Sequence, residues 1–570
     1  MTALRYREAM RGWVSFHERD PNLGLWQGRA EGGRCAFALD VRIDDVDRFV
    51  DDPDHEASCT GALDVAGLGG RLELREGTFN LLVKVRGPRH RRMEYVLKAT
   101  DAAGRRIRLD GFKDVQDDWF RDAWNDTSTL FATLRAGWAR EDPVLAAGVL
   151  RIGRLAFLGT LASMRLRGGT PWARLRALAR YARFFAGGLV RVYVGPNATE
   201  GQPDFPAELA GTEAFQGRAP GAWHPCPGRP GLQRRILGFR ALDGVPLTVH
   251  NIRADPAVAG APLLVAAGTG VRAEITYGAP IARSLIDELV TAGHDVWVVN
   301  WRASIDLPVR PFTLDDAAAC DWPAAVATIL RHTGARELKA VVHCQGSTSF
   351  AMALVAGLLP EVTTVVSNAV SLHVDVPPAS RRRMVGLVPI MSRGYAGLDP
   401  QWAIRPTATR AKVYAWIARH ARRDCGNPVC MVSNYVYGVT DDVLWRHENL
   451  SDATHRWIAR EFGWVPVSFF EQMRQCAVAG HLVRVGDRPE LPADVTDGPP
   501  RTRARWTLVA GERNECFLPS GQARTAAWLR AQGATVDALH VVPGYSHLDI
   551  FFGEHAARDV FGLIVAALER

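Results

Sequence analysis

The sequence predicts an α/β fold with an inserted cap, preceded by a small β-rich domain and a helical connector. Three observations carry that expectation. Apolar strand-like and helix-like runs alternate from residue 236 to 570; short runs punctuated by glycine and aspartate fill residues 1–138; arginine-rich helical periodicity fills residues 139–235. At 570 residues the chain exceeds what one hydrophobic core organises, which agrees with a division into parts.

In residues 1–138 the strand-like runs are Trp13 to Phe16, Cys35 to Ile43, Leu72 to Leu74, Phe79 to Val85, Met93 to Ala99 and Arg106 to Leu109, a spacing that suits hairpins in a small sandwich or barrel. Leu145 to Leu161 and Trp172 to Leu189 have helical spacing, with arginines among the apolar residues. Such segments are packed helices with a solvated face or amphipathic helices at an anionic membrane surface. The Pro/Gly-rich stretch from Gly217 to Gly231 reads as a linker. Beyond it, Gly238 to Leu242 and Leu247 to Ile252 form a hairpin around Asp243-Gly244. Buried strands are expected at Leu263 to Ala267, Asp295 to Asn300, Ala340 to His343, Thr363 to Ser367, Thr507 to Ala510 and Val536 to Val542, with helices between them. The aromatic-rich interruption at 371–505 reads as the cap.

The formal charge of +8 comes mostly from arginines dispersed among acids, not from a basic run with interleaved aromatics, so nucleic acid is not the expected partner. Nine cysteines without CxxC pairs read as reduced thiols. With no apolar signal-peptide core and no bilayer-length apolar run, the expected location is the cytoplasm, with peripheral membrane contact as an option. No residue pattern calls for a metal or a cofactor.

The sharpest local signal is Lys339-Ala340-Val341-Val342-His343-Cys344-Gln345-Gly346-Ser347, an apolar strand running through a sharp turn into a small-residue helix start. That context lifts the Cys344 side chain off the sheet and points helix N–H groups at it, an arrangement that stabilises a thiolate. Val342 stands where the G-x-S-x-G pattern has a small residue, so that pattern is half matched.

Cys320-Asp321-Trp322-Pro323-Ala324 together with His343-Cys344-Gln345-Gly346-Ser347 resembles the acid lipase branch of the α/β-hydrolases, which share a D-x-P-A helix and an H-S-Q-G elbow. The cysteine at the elbow, with Gly293-His294-Asp295-Val296 and Asn300-Trp301-Arg302, also resembles polyhydroxyalkanoate synthases. The resemblance covers 236–570 and implies an α/β-hydrolase fold, acyl-transfer chemistry and lipidic substrates. It implies His547, in Val542-Pro543-Gly544-Tyr545-Ser546-His547, as general base, and Asn514 where these families keep aspartate. An asparagine carbonyl can accept the histidine N–H and fix its tautomer, which suffices for a thiol nucleophile; Glu512 or Glu515 is the alternative third member. The oxyanion donors expected are the backbone N–H groups of Gln345 and of Thr269 in Ala267-Gly268-Thr269-Gly270.

The leading expectation is an acyl hydrolase or acyltransferase using Cys344 on a lipidic ester or thioester, of sterol or fatty acyl type, with cap aromatics Trp402, Trp416, Trp445, Trp457 and Trp464 as an acyl chamber or as core. The alternative is a catalytically impaired hydrolase-fold protein that binds lipid or assembles with an oxidoreductase partner. That partner is suggested by a faint resemblance of Met10-Arg11-Gly12-Trp13-Val14 and Gly77-Thr78-Phe79-Asn80-Leu81 to segments accompanying cholesterol-oxidase-like flavoproteins.

Overall fold

The computed structural model describes residues 1–84, 91–101, 103–115, 123–193, 222–307, 309–369, 372–406, 409–423 and 425–570. Val85, Gly217 to Gly221 and Ser371, which figure in the expectations above, lie outside them. The chain divides into two compact units: residues 1–212 with 402–416 and 426–428, and residues 213–401 with 417–425 and 429–570.

The first unit is built on strands β1 (Ala3–Ser15), β2 (Arg34–Ile43), β3 (Glu56–Val65), β4 (Gly70–Lys84), β5 (Arg91–Thr100), β6 (Arg106–Val115), β7 (Thr129–Arg135), β8 (Val144–Arg151) and β9 (Arg165–Arg167). Neighbours from β2 to β8 pair in chain order, and β1 pairs antiparallel with both β8 and β2, which closes an eight-stranded barrel; β9 adds to β1. A barrel of this strand number has an interior that side chains can fill, and here Leu4, Tyr6, Met10, Phe37, Phe79 and Leu97 belong to one buried cluster.

The expected fold class is therefore corrected in its N-terminal half. Instead of a small β-rich domain followed by a helical connector, a closed antiparallel barrel takes in Val144–Arg151 as its last strand. The physical reason lies in Ala146-Ala147-Gly148-Val149-Leu150, all buried. A Cβ on Gly24, in the helix Pro21–Glu31, would fall 1.9 Å from the Ala147 carbonyl oxygen, so that helix covers the outer face of β8 at backbone contact distance. A strand buried on both faces loses its period-two alternation and reads as helix. In β1 the signal is broken by Glu8, which points inward. Its carboxylate accepts from Lys113 Nζ at 2.7 Å and from Tyr95 Oη at 3.0 and 3.1 Å, so the buried charge is paired and hydrogen-bonded. The helices Arg154–Ala162 and Pro171–Tyr193 expose Leu155, Leu158, Trp172 and Leu175. Among the described residues no helix is long and apolar enough to cross a membrane.

The second unit centres on a sheet of β10 (His224–Pro225), β11 (Gln233–Arg240), β12 (Pro246–Arg253), β13 (Ala261–Ala266), β14 (His294–Asn300), β15 (Leu338–His343) and β16 (Val362–Asn368). A two-stranded ribbon, β17 (Gly397–Leu398) and β18 (Val465–Pro466), precedes the last sheet strands, β19 (Arg505–Gly511) and β20 (Val536–Val542). The order is β10-β11-β12-β14-β13-β15-β16-β19-β20; pairings from β14 through β20 are parallel, and those among β10, β11, β12 and β14 antiparallel. Strands β13, β14, β15, β16 and β19 are almost entirely buried, which is why they are legible as apolar runs. Between β16 and β19 stand helices Pro378–Met391, Asp452–Trp457 and Val467–Ala479, among others.

Candidate active site

Strand β15 ends at His343 and the helix Cys344–Val355 starts at the next residue. A turn this tight forces Cys344 to φ 54°, a region costly for a residue with a Cβ. Two glycines make room for it. A Cβ on Gly346 would lie 2.2 Å from the Ala267 carbonyl oxygen, and one on Gly268 would lie 2.9 Å from Cys344 Cβ. The loop after β13 is pinned by Trp301 Nε1, which donates to Ala267 O at 3.1 Å, and by Tyr437 Oη, which donates to Thr269 O at 3.2 Å. With the loop so placed, the backbone N–H groups of Gln345 and Thr269 each act to lower the pKa of the Cys344 sulfur. The sequence expects these two groups as oxyanion donors.

His547, fully buried, follows β20 in the loop before the helix Asp549–Phe552. The Cys344 sulfur and ring nitrogens of His343 and His547 lie within 4.8 Å of one another. Asn514 reaches His547 Nδ1 at 3.1 Å. Glu512 instead accepts from Gly544 N at 3.2 Å, and Glu515 from Thr440 Oγ1, both near the surface, so neither carboxylate takes the place of Asn514.

The expected role of Asn514 needs correction. Its Oδ1 accepts from the backbone N–H groups of Cys516 and Phe517, each at 3.0 Å, so its NH2 faces the imidazole and donates to Nδ1. The neutral ring then carries its proton on Nε2, the opposite tautomer from the one a carbonyl acceptor would fix. Burial also outweighs the helix N-terminus: it pushes the Cys344 thiol up to about 12, against the lowering by the Gln345 and Thr269 N–H groups. His547 is held well below its ordinary range, first by burial and then by His343. The resting pair is a thiol beside a neutral imidazole.

His343 completes the cluster, a residue noticed in the sequence only as part of the elbow. Asn368 Oδ1 accepts from its Nδ1 at 2.8 Å, which leaves Nε2 as the bare nitrogen; burial lowers this histidine to about 4, with Asn368 opposing. The rings of His343 and His547 stand 4.8 Å apart. Buried polar atoms without a hydrogen-bond partner gather on these residues: His343 Nε2, His547 Nε2, Thr269 Oγ1 and Gln345 Oε1. Native interiors leave few such atoms, and a concentration of them marks a place where a ligand completes the bonding. Phe517 and Phe551 flank the histidines, with ring centroids 5.8 Å from His547 and 4.7 Å from His343 respectively.

Other sequence signals prove structural. Asp321 of the D-x-P-A stretch is fully buried and binds Arg302 through its backbone N–H and its guanidinium, the closest contact 2.6 Å. Trp445, fully buried, packs on Phe462 and Phe552 as core; the half-buried Trp457 packs on Phe552; Trp402 and Trp416 group with the first unit.

No protein-family model matches the sequence, and no curated protein matches it. Solved structures similar to the chain include a monoacylglycerol lipase from Paleococcus ferrophilus, at 14% identity over 56% of this chain and 98% of that one, TM-score 0.36. A thermophilic esterase from Thermogutta terrifontis is similar at 15% identity over 59% and 98%, TM-score 0.35. An esterase from Pyrococcus furiosus is similar at 11% over 62% and 98%, TM-score 0.35. These structural neighbours are lipases and esterases, and identities this low leave the chemistry to be read from the chain's own residues.

Proposed function

We propose that the second unit is an acyl-transfer enzyme, a hydrolase or acyltransferase, in which Cys344 attacks an ester or thioester carrying an apolar acyl group. The observation that carries the reading is an elbow cysteine, held at φ 54° between β15 and the following helix, with its sulfur within 4.8 Å of a ring nitrogen of His547. In the reaction the sulfur bonds to the carbonyl carbon. The carbonyl oxygen turns to the Gln345 and Thr269 N–H groups, where its developing charge is stabilised. The acyl–oxygen bond of an ester or the acyl–sulfur bond of a thioester breaks, the departing alcohol or thiol takes the proton that left Cys344, and water or a second alcohol releases the acyl group. His547 passes the proton only after shifting to the Nδ1–H tautomer, against the Asn514 amide. Phe517 and Phe551 support an apolar acyl group of sterol or fatty acyl type. The nine free cysteines support a reducing, cytoplasmic setting, and exposed Leu155 and Trp172 support peripheral membrane contact.

A second reading, a lipid-binding or assembly protein working with an oxidoreductase partner and without turnover, is favoured by the thiol at about 12 beside a donor-facing Asn514. Intact mass after incubation with p-nitrophenyl esters of graded acyl length separates the two. Acyl transfer adds one acyl group to the wild-type chain and none to Cys344→Ala, and candidate alcohols discharge it. Labelling that persists undiminished in Cys344→Ala sinks the assignment, and an unlabelled wild-type chain selects the binding reading.

A further inference from the structure

A second cysteine–histidine group stands in the second unit. Cys425, Cys430, His447 and His455 each bring one ligand atom to within 4.8 Å of the others. Their spacing, C-x4-C-x16-H-x7-H, draws on separate elements. Cys430 lies in the first turn of the helix Pro428–Tyr437, His447 opens the single turn His447–Asn449, and His455 lies in the helix Asp452–Trp457. Four soft or borderline donors from four separate elements turn their ligand atoms to one point, where burial calls for partners that a bound cation can supply.

The geometry has the marks of a metal centre. Cys430 Sγ and His447 Nε2 are 3.3 Å apart. With Zn–S about 2.3 Å and Zn–N about 2.0 Å, the sulfur-to-nitrogen edge of a tetrahedral site is about 3.5 Å. His447 turns its other nitrogen, Nδ1, onto Asp442 Oδ1 at 2.6 Å, which keeps a proton on Nδ1 and aims Nε2 at the cluster. A carboxylate behind a histidine in this way is the usual support of a ligating imidazole. Asn434 Nδ2 donates to Cys430 Sγ at 3.6 Å, a contact that suits a thiolate ligand. A cavity of about 370 Å³, lined by Cys425, Cys430, Asp442 and His447 among others, gives an ion a way in.

We propose that Cys425, Cys430, His447 and His455 bind one zinc-class divalent cation in a closed tetrahedral site. Two sulfurs and two nitrogens fill the coordination shell and leave no position for substrate, so the ion is structural. Its consequence falls on the loop that carries His547. Ser546 Oγ donates to Val443 O at 3.1 Å, and Leu548 N donates to Leu444 O at 2.7 Å. Arg446 N donates to Asp549 Oδ2 at 3.2 Å, and Asn449 Nδ2 donates to Gly544 O at 3.0 Å. Segment 442–449, anchored by the ion through His447, is thus the bed on which residues 544–549 rest. This holds whether or not Cys344 turns over.

The test uses the full chain, freed of metal and reduced, and titrated with Co2+. About one equivalent should bind, with the intense visible bands of tetrahedral cobalt and thiolate-to-cobalt charge transfer, and Zn2+ should displace it. Cys344→Ser should keep the whole spectrum, which separates this centre from the His343–Cys344–His547 group. Cys430→Ser should lose part of the charge-transfer intensity, Cys425 supplying the rest, and Asp442→Asn should bind about 10- to 100-fold more weakly at the same stoichiometry. If Cys430→Ser does not fold, the wild-type titration and Asp442→Asn decide. A wild-type chain that binds no Co2+, an octahedral spectrum, or loss of the spectrum in Cys344→Ser overturns the proposal. Hydrogen exchange at residues 544–549 should slow when the metal is added; unchanged exchange removes the bracing role.

Discussion

The second unit holds two cysteine–histidine groups whose residue types are alike and whose chemistry is opposed. Around Cys344 burial dominates: among the described residues no carboxylate backs His547, its partner Asn514 donates instead of accepting, the thiol rises to about 12 and both histidines fall. Around Cys425 three of the four groups are partly exposed, Cys430 being buried, and Asp442 stands behind His447, which rises to about 9, first through that carboxylate. Cys425 is drawn down, first by the hydrogen bond from Cys430 and then by the two histidines, while Cys430 rises through burial. What a cysteine does is set by who supplies the neighbouring proton and by how much water remains, not by the presence of a histidine.

The largest way to break this contrast is alkylation. In the metal-free chain at neutral pH, iodoacetamide should modify Cys425 about a thousandfold faster than Cys344, since thiolate is the reacting form. The Cys344 rate should climb about tenfold per pH unit and pass the ordinary thiol range near 9 without levelling, consistent with a thiol at about 12. Site-resolved mass spectrometry follows both rates. A Cys344 profile that levels below pH 9 would show that the helix N-terminus, not burial, governs the sulfur.

Next in size is Asn514→Asp. An aspartate can keep one oxygen on the Cys516 and Phe517 N–H groups and offer the other to His547 Nδ1–H, which frees Nε2 to take the thiol proton. Removing the mismatched donor is worth about 1–3 kcal/mol, so acylation by an activated ester should speed up about 10- to 100-fold. Stopped-flow release of nitrophenolate measures it. Equal or slower acylation would mean that the amide orientation does not limit the site.

Much of this unit can be read from sequence because parallel strands buried on both faces, such as Leu263 to Ala266 and Val296 to Asn300, stand out as apolar runs. Cys344 is legible for the same reason, following the buried strand β15, whereas His547 follows the half-buried β20 and is legible from its place before the last helices. The same double burial hides β8, where Ala146-Ala147-Gly148 mimics helical spacing, and inward Glu8 hides most of β1. The Asn514 orientation is decided by two backbone N–H groups, which no side-chain pattern records. The Cys425 group escapes a search for CxxC pairs because its ligands are C-x4-C followed by histidines 17 and then 8 residues further on, although C-x4-C itself is a ligand spacing.

The smallest effect tests the contrast through stability, and the two groups should respond with opposite signs. His343, lowered from 6.5 to about 4, stays neutral in the folded chain while the unfolded chain takes up a proton. Its contribution is therefore whole above pH 6.5 and lost as pH falls towards 4, by up to about 1.4 kcal/mol per unit. His447, raised from 6.5 to about 9, contributes stability that is whole below pH 6.5 and lost as pH rises through 9. That loss should be the smaller, because the His447 side chain is 35% exposed and water screens its pairing with Asp442. Glu461 and Asp306, raised by burial to about 7 and about 6, act against His343 in the acid range, so the wild-type slope alone does not isolate it. Urea unfolding of the metal-free chain from pH 4 to 9 does so by difference. His343→Gln should flatten the acid limb and leave the alkaline one, and His447→Gln should flatten the alkaline limb and leave the acid one. If both substitutions flatten the same limb, the opposition between the two groups does not hold.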